Sequence, residues 1–240
     1  MEIFWKTIAE YNSATWLYQI LIVLTGIVLT IRLVKNPNRK IKIAMKSYMI
    51  FLNLWIAIVY YLIYCSERKY NIVLTLFWAI IAFIWVWDLI KGHTSFQRNY
   101  KYDIFAYILL AMPFLYPIFS LKRGLEFPAI TSPVMPCSVA VFSIGLLLLF
   151  SEKVNMYIVL FLCHWSIIAI SKTYFFDIPE DFLLASTSVP ALYLFFKEYF
   201  ANNLHKDMKS KAKYINLLLV IICIIIGVLL TATLFIGLKG

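Results

Sequence analysis

Few side chains in this sequence combine reactivity with a place inside an apolar stretch, and His164 is the clearest of them. It stands beside Cys163 in the run 154–171. An ionisable group at the centre of a membrane-length run costs roughly 2.5–3.5 kcal/mol to insert, so it faces the protein interior and often marks a pathway. At the pitch of an α-helix, His164 shares a face with Tyr157, Leu160, Ile168 and Ser171, while Cys163 points about 100° away. The two therefore do not chelate one metal unaided. Three chemistries stay open for His164: ligand of a metal or haem, step in a proton or solute path, or neutral ring hydrogen-bonded to another helix. Cys137, directly after Pro136, could join from the neighbouring run 134–150, but its expected depth is near the outer surface.

A second constellation is acidic. Asp177, Glu180 and Asp181 follow the same run, with Lys172 upstream. Three carboxylates at an entrance raise the local concentration of cations and could hold one weakly. Equally, Pro179-Glu180-Asp181 reads as a helix start, where acids complement the dipole. Asp88, beside Trp87, is a further pathway acid or else the surface partner of Lys91 three residues later. The sequence holds no HExxH, no GxxxxGK[ST], no GxSxG and no arginine-rich sensor helix, and its spacings indicate neither a cofactor nor a metal.

The elements that must position these residues are membrane helices. Of 240 residues, 63% are hydrophobic and 14% charged, against roughly 45–50% apolar and about 25% charged in a soluble domain. The net charge of +10 sits in short links between apolar runs, which points to topology signals and anionic lipid contacts and away from nucleic acid. Four cysteines without a CxxC pair exclude a zinc knuckle and a dense disulfide framework. With about 20 apolar residues needed per crossing, the expected fold class is an all-α polytopic transmembrane bundle with runs at 15–34, 47–64, 71–90, 103–120, 134–150, 154–171, 183–200 and 214–237. That is eight spans, or six plus a buried hairpin at 134–171. Residues 1–14 are expected to form a short interfacial segment, and 15–240 a single helical domain.

Placing the N-terminus outside assigns fifteen of the 22 lysines and arginines to cytoplasmic links and helix ends, so the positive-inside rule puts both termini outside. The location expected is a bacterial cytoplasmic membrane. Trp16, Tyr18, Tyr60, Tyr61, Tyr64, Trp85 and Trp87 cluster near span ends and read as an anchoring belt.

Pro113, Pro117, Pro128, Pro133 and Pro136 crowd one short region. Each lacks an amide hydrogen, which predicts a bent fourth helix followed by a structured outer loop, either a stiff connection or a partly inserted segment lining a cavity. Here the sequence resembles a known family. Tyr116-Pro117, Gly124, Phe127-Pro128, Pro133, Pro136-Cys137, Phe142 and Gly145-Leu146-Leu147-Leu148 look like the central signature of a bacterial family of small polytopic membrane proteins known as a domain of unknown function. Tyr11-Asn12 with Trp16, and Trp165-Ser166-Ile167-Ile168 followed by Glu180-Asp181, agree with it. The chain departs from the pattern at Leu17, Leu125 and Ala169. The resemblance implies bacterial membrane location and topology.

Three functions are expected in order. Small-solute or ion permeation comes first, through a cavity bounded by the proline-rich centre, His164 and the acidic loop. An integral membrane enzyme or redox protein acting on lipid or quinone comes second, and a non-catalytic partner, sensor or immunity protein third. Anionic lipid at the basic loops, a homo-oligomer and a membrane partner are the associations considered.

Overall fold

A computed structural model describes residues 2–176 and 181–204. The chain begins with α1 (Glu2–Lys35), one unbroken helix that carries the expected interfacial segment straight into the first apolar run. At about 1.5 Å per residue it is about 51 Å long, well beyond a hydrocarbon core of about 30 Å. Next come α2 (Arg39–Leu54) and, continuing it, a π-helical stretch Trp55–Tyr64. The helices α3 (Asn71–Lys91), α4 (Asp103–Ala111) and α5 (Leu115–Lys122) follow. Then come α6 (Pro136–Leu149), α7 (Met156–Phe176) and α8 (Phe182–Leu204).

Four stretches are long and apolar enough to cross a bilayer: Ile3–Lys35, Arg39–Tyr64, Asn71–Lys91 and Tyr100–Lys122. They mark the chain as a helical membrane protein. The last is bent as its prolines demand, because Pro113 sits in a tight 3-10 turn, Met112–Phe114, between α4 and α5. Two further apolar helices, Pro136–Leu149 and Met156–Ala169, are shorter. The eighth run, 214–237, lies outside the described residues, as do Cys223 and the lysines from Lys206 to Lys213.

At the centre stands α6, apolar on all sides and buried at every position but Phe142. A helix without a polar face must be covered all round, and α4, α7 and α8 supply much of the cover. Gly145 sets how closely α4 approaches. A Cβ there would lie 2.8 Å from the Cβ of Leu109 and 3.0 Å from the backbone nitrogen of Leu110. One glycine thus does the packing that a GxxxG face does elsewhere.

The α2–α3 hairpin closes on charge. Lys46 Nζ lies 2.7 Å from Asp88 Oδ2, with both side chains buried. Asp88 is therefore not the surface partner of Lys91: it faces α2 across the hairpin, and Lys91 turns outward over Trp87. The aromatic belt needs a similar correction. Trp16, Tyr18 and Trp87 are exposed, whereas Tyr60, Tyr61 and Trp85 are buried among the helices. An apolar ring near a span end packs inward wherever a neighbouring helix offers more contact than lipid does.

Candidate functional site

Opposite the Lys46–Asp88 pair, the segment 123–135 drops into the end of the bundle. Gly124 turns the chain at φ +84°, a conformation that L side chains resist, and Leu125 N–H donates to Ser120 O at 3.1 Å. Beyond it, Thr131, Ser132, Val134 and Met135 are buried. Non-helical backbone at that depth needs internal partners for its polar groups. Alternate carbonyls find them in side chains. Asn12 Nδ2 donates to Pro128 O at 2.8 Å and Ile130 O at 2.7 Å. Ser138 Oγ donates to Ser132 O at 2.8 Å, and Tyr11 OH to Val134 O at 2.7 Å. Tyr11-Asn12 and the proline segment, far apart in sequence, are thus one structural unit.

A second anchor fixes α1 to the hairpin. Arg68, between the π-helical stretch and α3, donates from Nε to Thr7 Oγ1 at 2.7 Å and from Nη2 to Phe4 O at 2.9 Å. Its guanidinium lies over the Phe4 ring, 4.3 Å from the centroid. Burial works against its charge, but Tyr60 and Cys65 favour it and leave the pKa raised. Trp55 Nε1 donates to Tyr11 OH at 3.0 Å, so that hydroxyl is both donor and acceptor.

The inserted segment leaves space against α1. One cavity of about 400 Å³ is lined by Asn12, Trp16, Gln19, Val23, Phe114, Pro117, Phe127 and the stretch 130–133, among others. A second, of about 330 Å³, is lined by Val23, Gly26, Thr30, Ile31, Tyr48, Tyr107, Phe114, Pro133 and Phe142, among others. Val23, Phe114 and Pro133 border both, so the two cavities adjoin along a groove between α1 and the bent α4–α5 helix. On α1 its wall is one broad face of the helix, with Asn12, Trp16, Gln19, Val23, Gly26 and Thr30 along its middle. Gly26 keeps the floor in place, because a Cβ there would fall 2.5 Å from the Tyr48 hydroxyl, which bonds Ile22 O at 3.1 Å.

Polar side chains are few in both cavities, Thr30, Tyr48 and Tyr107 in one and Asn12, Gln19, Thr131 and Ser132 in the other. Both Asn12 Nδ2 bonds are in use, and Asn12 Oδ1 accepts from Gln19 Nε2 at 3.1 Å. Gln19 Nε2 also donates to Thr15 Oγ1 at 2.9 Å, while Gln19 Oε1 accepts no bond among the described residues. The Thr131 hydroxyl is shared with Ser120 at 2.7 Å. Ser132 is 7% exposed, and its hydroxyl has no partner among the described residues.

The residues singled out in the sequence do not converge here. His164 is half-buried on α7, with its ring 5.8 Å from that of Phe77. Cys163 is buried on another face of the same helix, as the helical angle required. Pro136 opens α6, and Cys137 is buried beside it, close behind the inserted segment. Asp181 is buried just before α8, whereas Asp177 and Glu180 lie outside the described residues. Gln19, Thr131 and Ser132 escaped the sequence reading. Gln19 carried one usable signal: it is an amide within the apolar run of α1, seven residues after Asn12 and so on the same face.

A family model described as a family of unknown function, DUF6064, matches residues 1–206. No curated protein and no solved structure matches the chain.

Proposed function

We propose, for a chain that belongs to the family of unknown function DUF6064, that it is a lipid-handling membrane protein which draws one lipid chain out of the bilayer into the groove between α1 and α4–α5. The observation that carries this reading is the groove itself: mostly apolar along its length, with a few polar side chains in each cavity, and of a volume ordinary for small-molecule sites. From Gln19 to Ile31 it runs about 18 Å along α1, slightly more than half the thickness of a hydrocarbon core of about 30 Å. That is the reach of one chain within one leaflet.

In this reading the chain crosses a bacterial cytoplasmic membrane eight times, with α6 and α7 as a largely protein-covered pair. Both termini lie outside, and the proline end faces outward. Arg39 and Lys40, exposed at the opposite end, then meet anionic headgroups at the cytoplasmic surface. The sequence ranked permeation first. The mostly apolar groove supports a lipid occupant, shared with the second expectation of an enzyme or redox protein acting on lipid or quinone, because its walls offer a solute or an ion few polar groups.

Filling the groove tests the proposal. Val23 borders both cavities, and Val23→Trp places an indole where a chain would lie. Lipid extracted from protein purified in a mild detergent is expected to fall at least about fivefold in this variant. Equal lipid recovery from variant and parent overturns the reading. Proton or solute flux through liposomes, lost in His164→Ala, would restore permeation to first place.

A further inference from the structure

We propose that the π-helical stretch Trp55–Tyr64 is a two-state element whose winding decides whether the segment 130–135 stays seated beside the groove. The consequence for lipid rests on the groove being a lipid site; the coupling itself does not. Helices of this kind are rare, mostly single-turn bulges, and frequent at functional sites, yet this one covers ten residues. The stretch holds neither glycine nor proline, and Leu54 just before it has ordinary right-handed geometry, φ −66° and ψ −39°. Local sequence therefore leaves α winding open, and tertiary contacts must select the wider form.

Tyr11 makes that selection. Its hydroxyl accepts from Trp55 Nε1 at 3.0 Å, and its ring meets those of Tyr60 at 5.0 Å and Tyr64 at 5.7 Å, both edge-on. Trp55 and Tyr60 are five residues apart. In an α-helix that spacing turns the face by about 140°, so the two could not both lie against one tyrosine of α1. A π-helix bonds residues five apart and sets them on adjoining turns of one face, as Cys65 N–H does with Tyr60 O at 3.0 Å. The same Tyr11 hydroxyl donates to Val134 O, next to Pro133, which borders both cavities. One hydroxyl thus ties the winding to the wall of the groove. The helix is pinned on either side of the stretch, by Lys46 to Asp88 and by Arg68 to Thr7 and Phe4 O. A change of winding between those pins turns Trp55 relative to Tyr60 and takes one of them off Tyr11. A lipid that touches the seated segment favours the π state through its differential affinity, and by linkage the π state holds that lipid more tightly.

The test shortens the stretch. An α bond spans one residue fewer than a π bond, so deleting Ile58, which is exposed, favours α winding while both pins keep their partners. Ile58→Ala is the control that loses the side chain and keeps the length. Hydrogen exchange of the full chain in detergent, read by mass spectrometry, should quicken about tenfold across 130–135 in the deletion, the scale of one lost hydrogen bond. The loop after α3 and the Ile58→Ala control should exchange at the parent rate. Trp55→Phe, which keeps a ring without the donor, should quicken the same segment about threefold. Lipid recovered with the deletion variant should fall at least about fivefold. Parent exchange across 130–135 in both the deletion and Trp55→Phe overturns the proposal, as does equal quickening at the two ends of the bundle or an effect that Ile58→Ala reproduces. If Val23→Trp sheds lipid while the deletion retains it at the parent level, the groove reading stands and the proposal falls. If exchange answers as expected but neither variant sheds lipid, the groove reading falls and the coupling stands.

Discussion

At the end of the bundle that carries Lys46 and Asp88, the loop after α3 is held by charge, with Asn155 Nδ2 left buried and without a partner among the described residues. Asp88 Oδ1 accepts from the Thr94 amide at 2.8 Å and from the Thr94 hydroxyl at 3.0 Å. That hydroxyl accepts in turn from the Asn155 amide at 3.1 Å. Lys46 Nζ also reaches Asp88 O at 3.0 Å. The loop is stitched to the α6–α7 turn by Ser95 N–H to Lys153 O at 3.0 Å and Asn99 N–H to Leu149 O at 3.2 Å. At the proline end the irregular backbone is comparably deep, yet neutral side chains hold it, a groove is left open beside it, and Ser132 stays unsatisfied. The first arrangement is what a closed structural joint looks like. The second keeps a void beside its irregular backbone, and that space is how a site differs from a joint.

Mutations that treat the two ends differently sharpen this contrast. The largest effect is expected from Asp88→Ala, which strands the Lys46 ammonium in a buried position. Loss of one partner of a buried pair costs about 3–5 kcal/mol, seen as a steep fall in the thermal midpoint in detergent. Replacing both charges, as Lys46→Met with Asp88→Asn, which keeps an acceptor for Thr94, should recover part of that loss. A double variant as unstable as the single one would show that the pair contributes more than charge neutralisation.

Gly145→Val comes next. Its side chain would enter space held by Leu109 and by the α4 backbone, and overpacking of this kind costs about 1–3 kcal/mol. The thermal midpoint should fall, with slower-migrating or aggregated protein on size exclusion. A fully stable variant would mean that α4 and α6 part easily.

Asn12→Ala follows, since it removes both donors to the carbonyls of Pro128 and Ile130 and leaves them unsatisfied, at about 1–3 kcal/mol. Its signature is local. Hydrogen exchange should quicken across residues 125–135 while the loop after α3 keeps its protection. Uniform loosening of both ends would erase the distinction between joint and site.

Last comes Tyr11→Phe, which removes the bond to Val134 O and the acceptor of Trp55 Nε1 while keeping the ring against Tyr60. About 1–2 kcal/mol is expected, with exchange rising around Val134.

Legibility in the sequence differed between fold and site. Helices were plain because an apolar run long enough to cross a bilayer has one way to satisfy its amides. The bend at Pro113 was plain because a missing N–H has a fixed local consequence. Asp88 was visible as an acid near a span end, but its partner was misplaced, since the nearest lysine in sequence is Lys91 and the nearest in space is Lys46. His164 stood out by residue type, whereas the structure sets it half-buried against an aromatic ring. Ser132 and Gln19 are unremarkable residue types whose significance is entirely in what fails to reach them.

The sequence by itself determined that this chain partitions into a membrane as helices, where it bends, and which short segments carry charge, because partitioning and backbone satisfaction depend on local composition. Tertiary structure alone decided which polar groups are paired and which are left over. That is a matter of distances between residues as far apart as Asn12 and Ile130 or Lys46 and Asp88. Only the packed bundle sets α1 against the bent α4–α5 helix with the proline segment between them, and so only the bundle makes a groove.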